Sequence, residues 1–199
     1  MRIETALALL PGPDHLAVDA NAALSKARAL AYAKALAPYR LRWFEEPCGP
    51  SDYAMLAELA GVYDPPLATG ENLFCLQDVE NLLRFGNFRR DRDILQVDPP
   101  QAYGIGPYAK MVALVESFGG TRARIFPHGG NMMSFAVAAG LGLGGCEAYP
   151  GVFGAFGGFA EGMEVRGGQI ALPPYPGIGF EAQPAGSRSE ERRVGKECR

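Results

Sequence analysis

The stretch RWFEEP (42–47) decides the fold. A short apolar run ends there on paired glutamates and a proline, the pattern of a buried strand that delivers an acid at its carboxyl end. The same ending recurs on either side, in LAVDAN (16–21) and LATGEN (67–72), so Asp19, Glu45 and Glu71 fall at one interval of 26 residues. A strand, a helix and a return to the next strand fill a repeat of that length, as in a parallel sheet or (β/α) barrel. Barrel enzymes place their chemistry at the carboxyl ends of the strands, where three such acids converge on one face. Converging carboxylates repel one another unless a cation lies between them, and oxygen-only donors suit a hard ion such as Mg2+. A single acid after a strand is more often a helix N-cap. Three at one period point instead to a metal site with Asp19, Glu45 and Glu71 as ligands. Side chains alternate along a strand, so Glu45 and Glu46 are expected on opposite faces. The period assigns Glu45 to the metal and leaves Glu46 a supporting or structural group.

Composition agrees with a globular enzyme: of 199 residues, 48% are hydrophobic and 21% charged, and 26 Gly and 16 Pro mark many turns. The most apolar stretch, MMSFAVAAGLGLGG (132–145), is broken by Ser134 and four glycines, which makes it a packed helix ending in a loop and not a membrane span. No signal-peptide pattern is seen at Met1, and Cys48, Cys75, Cys146 and Cys198 show no CxxC spacing. Free thiols in a reducing cytoplasm are expected. The final RSEERRVGKECR (188–199) is polar and basic, lacks an apolar period and follows QPAGS, so residues 184–199 read as a non-native or disordered tail and 1–183 as the catalytic domain. Of 19 basic and 22 acidic residues, those last twelve hold five and three, which leaves 14 and 19 and a net charge of −5. A body that acidic argues against a nucleic-acid partner.

After an amphipathic helix and turn in MRIETALALLPGPDH, apolar periodicity predicts strands over 16–20, 41–47, 67–71, 94–98, 124–128 and 146–150. Helices alternate with them over 22–37, 51–60, 76–85, 105–118 and 132–142, with Tyr32 and Leu36 expected in helix core. Six strands leave two architectures open, an open doubly wound sheet or a (β/α) barrel lacking two units at its start.

The later strands carry their own polar ends. ILQVD finishes at Asp98, RIFPHGG at His128, and GCEAYP carries Glu147. Of the two histidines, His15 lies in a turn and reads as structural, whereas His128 sits between an apolar strand and paired glycines that allow close backbone approach. Asp98, one strand earlier, can orient that ring and raise its basicity, the arrangement that suits an imidazole to proton transfer. The glycines of GLGLGG (140–145) follow a helix and read as its C-terminus, not as a nucleotide-binding loop. GVFGAFGGF (151–159) is an aromatic and glycine loop, and Cys75 and Cys146 read as small buried residues.

VDAN, WFEEP, GEN, LQVD and FPHGG, in this order and spacing, resemble the enolase superfamily in its mandelate racemase-like group. LATGENLF, GNFRRDRDILQVD, FPHGG, AAGLGLGGCEAYP, FGGFAEG and LPPYPGIGFEA resemble most the tartrate dehydratase type of acid-sugar dehydratase, over residues 16 to about 183. The resemblance implies an α/β fold, an incomplete (β/α) barrel of about six units without the superfamily's N-terminal capping domain. It implies one Mg2+ on Asp19, Glu45 and Glu71, an acid/base pair in His128 and Asp98, and Glu147 and Asn21 against the substrate. The reaction implied is loss of water from a hydroxy acid, by proton abstraction next to the carboxylate, to give a 2-keto acid. Racemases and cycloisomerases of the same superfamily are the alternative, as is a truncated, non-catalytic piece. A homo-oligomeric parent is also implied. In the superfamily a His or Lys base works with Mg2+, which stabilises the ene-diolate. The superfamily's second acid/base, a lysine, is expected upstream of Met1. Asn131 stands where tartrate dehydratase-like sequences tend to have a second His, and DPPQAYG replaces a less proline-rich loop.

Overall fold

The computed structural model describes residues 2–149, 159, 163–174 and 177–179. Four short strands, β1 (Ala17–Asp19), β2 (Trp43–Glu45), β3 (Leu67–Thr69) and β4 (Ile94–Leu95), pair in parallel in the order β1-β2-β3-β4. The register sets Asp19 against Glu45 and Glu45 against Ala68, so the acid-bearing ends lie side by side. An order that never reverses excludes the doubly wound sheet, whose strand order must switch direction. After α1 (Arg2–Leu7), each strand is followed by a helix, and consecutive helices α2 (Lys26–Leu36), α3 (Tyr53–Val62), α4 (Leu76–Phe85) and α5 (Ile105–Ser117) pack side by side. That is an arc of a (β/α) barrel.

The core lies between sheet and helices. Phe44 on β2 is fully buried and meets Tyr63 edge-on, among Leu59, Leu82, Met111 and Val115 from the helices. The other face of β2 looks into the barrel, where Trp43 meets Phe126 at 5.8 Å and Arg42 lies over both rings. Beneath the sheet, Arg89 pairs with buried Asp93 and donates to the carbonyls of Ala60, Tyr63, Asp64 and Pro65. That guanidinium clamps the loop leading into β3.

Most elements come out shorter than their apolar runs; α4 matches the expected bounds, and α3 keeps its expected length but lies two residues later than 51–60. α2 begins at Lys26, not at residue 22, because Asn21 and Ala22 take positive φ of 45° and 54° in the turn after β1. Left-handed residues cannot continue a right-handed helix. Two of the six expected strands are corrected. Residues 122–124 form a 3-10 turn and Ile125 makes a single parallel bridge to Leu95, extended by a hydrogen bond from Phe126 N–H to the Leu95 carbonyl. Residues 146–149 form no strand, although Glu147 N–H bonds to the Pro127 carbonyl, and Pro150 lies outside the described residues. A run of apolar residues marks burial; a ladder needs paired backbone on both sides.

Three smaller expectations are settled. Tyr32 is 46% exposed rather than core, while Leu36 is buried. Cys75 is exposed at the start of α4, where its position is set by a cap rather than by packing. Gly142 (φ 63°) ends α6 (Met132–Leu141) as a left-handed cap, as its helix-terminal reading requires. The GVFGAFGGF loop lies largely outside the described residues, although Phe159 packs edge-on against Phe135. Residues 184–199 lie outside them entirely. No helix among the described residues is long and apolar enough to cross a membrane.

Candidate active site

The acids occupy the carboxyl end of the arc. Asp19, exposed, receives hydrogen bonds from the backbone (2.7 Å) and side-chain amide of Asn21, which the tight turn after β1 folds back onto it. Glu45, 6% exposed, accepts from the indole N–H of Trp43, two residues earlier on the same inward face, at 2.8 Å. Glu71 follows Gly70 in the loop after β3. Gly70 has φ +131°, and a Cβ there would meet the backbone nitrogen of Gln96 at 2.9 Å, so only glycine lets the chain turn this closely past the next strand.

Alternation does not hold at the paired glutamates. Glu46 has φ 35°, outside the strand region, and is 1% exposed. Its carboxylate accepts from Asn72 Nδ2 at 3.0 and 3.1 Å, and the same nitrogen reaches Glu71 at 3.2 Å. Glu46 therefore faces the same mouth as Glu71 instead of the opposite side of the sheet. A bulky residue held at positive φ is strain of the kind that surrounding structure must enforce.

His128 stands across from these acids. Its Nε2 is 3.4 Å from Glu71 Oε2 and 4.0 Å from Glu147 Oε2, and its Nδ1 is 3.7 Å from Asp98 Oδ2. At 3.7 Å the last approach is an ion pair and not a closed hydrogen bond, and buried Nδ1 has no hydrogen-bond partner among the described residues. Asp98 is nevertheless the largest influence lifting the imidazole from its ordinary 6.5 to about 9, assisted by Glu147 and Glu71 and opposed by burial. Burial likewise pushes Glu45, Glu46 and Glu71 above the usual carboxylate range, and neighbouring acids add to it. Glu45 feels Glu147 and Asp19; Glu71 feels Glu45, Asp19 and Glu147, with His128 opposing.

Glu147 closes the other side. It accepts from Gly129 N–H at 3.0 Å, from the Tyr149 hydroxyl, and from Gln96 at 3.4 Å. Gln96 is fully buried, and its neutral amide also eases the ionisation of Glu45, against which Glu147 works. Gly130 leaves room for Tyr149, whose ring carbon lies 2.5 Å from where a Cβ would stand. An apolar cavity of about 400 Å3, lined by Trp43, Phe126, Phe135 and Ala138, adjoins the cluster and shares Glu147 with it.

The structure thus brings Glu71, His128, Asp98 and Glu147 into direct contact and sets Asp19 and Glu45 beside them on neighbouring strand ends. Among the described residues, no three His, Cys, Asp or Glu side chains form a ready-made cation cage. What favours a hard cation here is the donor set, all carboxylate oxygen, with burial and like charge raising the cost of ionising Glu45 and Glu71. Sequence reasoning missed Asn72, Gln96, Ser134 and Tyr149. A polar residue inside the apolar run of ILQVD was the available signal for Gln96.

Residues 1–186 match the model of the enolase C-terminal domain-like family. The chain belongs to that family. It is 30% identical over 169 residues to L-talarate/galactarate dehydratase of Salmonella typhimurium, covering 83% of this chain and 39% of that protein. It is 33% identical over 168 residues to 3,6-anhydro-alpha-L-galactonate cycloisomerase of Streptomyces coelicolor, covering 82% and 43%. The chain spans about two fifths of the length of these curated relatives. The crystal structure of the Salmonella dehydratase superposes with a TM-score of 0.79 at 27% identity, over 94% of this chain and 45% of that one. L-Talarate dehydratase from Polaromonas, complexed with Mg and L-glucarate, gives 0.73 at 28% identity, over 87% and 46%. Membership of the enolase C-terminal domain-like family agrees with the barrel arc and with a resemblance carried by VDAN, WFEEP, GEN, LQVD and FPHGG.

Proposed function

We propose that this chain carries the cation-binding and acid/base groups of a Mg2+-dependent acid-sugar dehydratase. The observation that carries the reading is the placement of His128. Its Nε2 faces the carboxylate mouth at Glu71 and Glu147, while Nδ1 faces the orienting Asp98. One ring nitrogen is available to a substrate and the other is held from behind, which is what a general acid/base requires.

Asp19, Glu45 and Glu71 are the proposed ligands, and the relative complexed with Mg and L-glucarate supports Mg2+ as the ion. When bound, Mg2+ supplies charge stabilisation of several kcal/mol to a carboxylate whose neighbouring carbon is losing its proton. The rest falls to side chains. Asn21, beside Asp19, and Glu147, across the mouth, bind the substrate. His128 moves a proton at Nε2, a contribution of roughly 10²–10⁴-fold in rate. With its pKa lifted to about 9 the ring is protonated at neutral pH, the form that donates to a departing β-hydroxyl, while the proton from the carbon next to the carboxylate goes to the second base, the lysine that the superfamily resemblance implies. Loss of that hydroxyl leaves an enol, which becomes a 2-keto acid.

The substrate class proposed is a hydroxy acid or acid sugar. The tartrate-like end of that class rests on the sequence motifs, whereas the relatives include the talarate/galactarate dehydratase and a member of the D-galactonate dehydratase family. A cycloisomerase is the second reading, favoured by the comparable identity to the Streptomyces protein. Calorimetric titration with Mg2+, followed by assay of 2-keto acid formation from tartrate, galactarate and talarate, tests the proposal. Absence of Mg2+ binding refutes the metal assignment, and isomerised product without loss of water selects the second reading.

A further inference from the structure

The two oxygens of Asp98 have different neighbours. Oδ2 faces His128 Nδ1 at 3.7 Å, and Oδ1 accepts a hydrogen bond from Ser134 Oγ at 2.8 Å. Ser134 is fully buried and Asp98 is 3% exposed, so water does not compete for either group. The terminal torsion of an aspartate is broad and soft, and a carboxylate gripped at neither oxygen can turn its plane away from a ring it only approaches. Ser134 supplies the grip.

Three details make the contact specific. Ser134 lies in the first turn of α6, where no helical carbonyl four residues earlier competes for its hydroxyl. The hydroxyl reaches Asp98, with the His128 carbonyl as a longer alternative at 3.2 Å. The shorter, charge-assisted bond to a carboxylate is the stronger of the two. The position of Ser134 is itself fixed, because its backbone N–H is capped by Asn131 Oδ1 at 2.9 Å at the start of α6. Finally, a Cβ at Gly129 (φ +95°) would stand 3.0 Å from Asp98 Oδ2, so the glycine leaves that oxygen clear on the side of the ring. His128, Gly129 and Ser134 thus wrap one carboxylate from three directions.

We propose that Ser134 is a positioning residue for the Asp98 and His128 pair: its hydroxyl holds the Asp98 plane so that Oδ2 stays opposite Nδ1. The proposal rests on the reading of His128 as the acid/base group, but its test reads geometry and not turnover, so the two can fail separately. Imidazole proton and nitrogen resonances are recorded on the labelled chain at a pH where the His128 ring is protonated. The only other histidine, His15, is assigned by a His15→Gln variant. In the wild type, the buried Nδ1 proton of His128, held opposite Oδ2, gives a resonance sheltered from exchange. Ser134→Ala loses it, and Ser134→Thr, which keeps the hydroxyl, restores it. Ser134→Cys, close in volume but a weak donor, provides the same readout should the alanine variant not fold, and is expected to lose the signal too. An unchanged resonance in the Ala or Cys variant, failure of Thr to restore it, or its absence from the wild type overturns the proposal.

Discussion

Nε2 of His128 lies 3.4 Å from Oε2 of Glu71, a residue separated from it in the chain by α4, β4 and α5. The pair joins the two halves of the proposed site, a cation-binding carboxylate and a proton-transfer ring. It also couples their charges. His128 lowers the cost of ionising Glu71, and Glu71 helps hold the proton on His128.

Stability should fall as pH rises, in two windows. His128 has a folded-state pKa of about 9 against an ordinary 6.5, so its stabilising contribution is complete below about 6.5 and is lost as pH rises through 9. At most this amounts to about 3 kcal/mol. Glu45, Glu46 and Glu71, also raised, act in the same direction just above the usual carboxylate range. Urea unfolding in chelator across both windows checks this, and His128→Asn should remove the upper window while leaving the lower one.

Mg2+ binding should separate ligands from acid/base groups. Glu71→Gln is expected to weaken the calorimetric affinity by more than the roughly 10–100-fold that loss of a ligand's hydrogen-bond partner costs. His128→Asn should leave binding intact while abolishing proton transfer. Loss of Mg2+ binding in the His128 variant would reverse the assigned roles.

Gly70→Ala should damage both fold and site. The added Cβ meets two backbone nitrogens of the next strand segment, at 2.9 and 3.0 Å, on a backbone with φ +131°. Strain of this kind costs about 1–3 kcal/mol. A lowered melting temperature together with weaker Mg2+ binding is expected, because the displaced residue directly precedes Glu71.

Arg89→Ala tests the scaffold without touching the site. Removing the guanidinium strands Asp93 in the interior and four backbone carbonyls without their donor. Breaking a buried pair typically costs about 3–5 kcal/mol. Chemical denaturation should show that loss, whereas Asp93→Ala should be comparably severe because it leaves the arginine unpaired.

Much of the barrel was legible because its period is local. Each strand end, helix start and acid lies within one repeat, and α4 came out with the bounds its apolar pattern predicts. The strand ladder was less legible. The runs 124–128 and 146–150 are as apolar as the others, but hydrogen bonding depends on a neighbour one full unit away, and there the backbone makes a single bridge or irregular contacts. Glu46 shows the same limit at the site. Alternation puts it on the far face, whereas its positive φ turns it toward Asn72 and Glu71.

The 26-residue spacing of Asp19, Glu45 and Glu71 and the strand-end positions of Asp98, His128 and Glu147 were determined by the sequence itself, since periodicity and burial are properties of neighbouring residues. The contacts that would make those groups work were decided only by tertiary structure. Ser134 meets Asp98 across 36 positions, and Gln96 meets Glu147 across 51. Hydrogen bonds act over about 3 Å, and no spacing rule carries that precision across a packed helix and two turns.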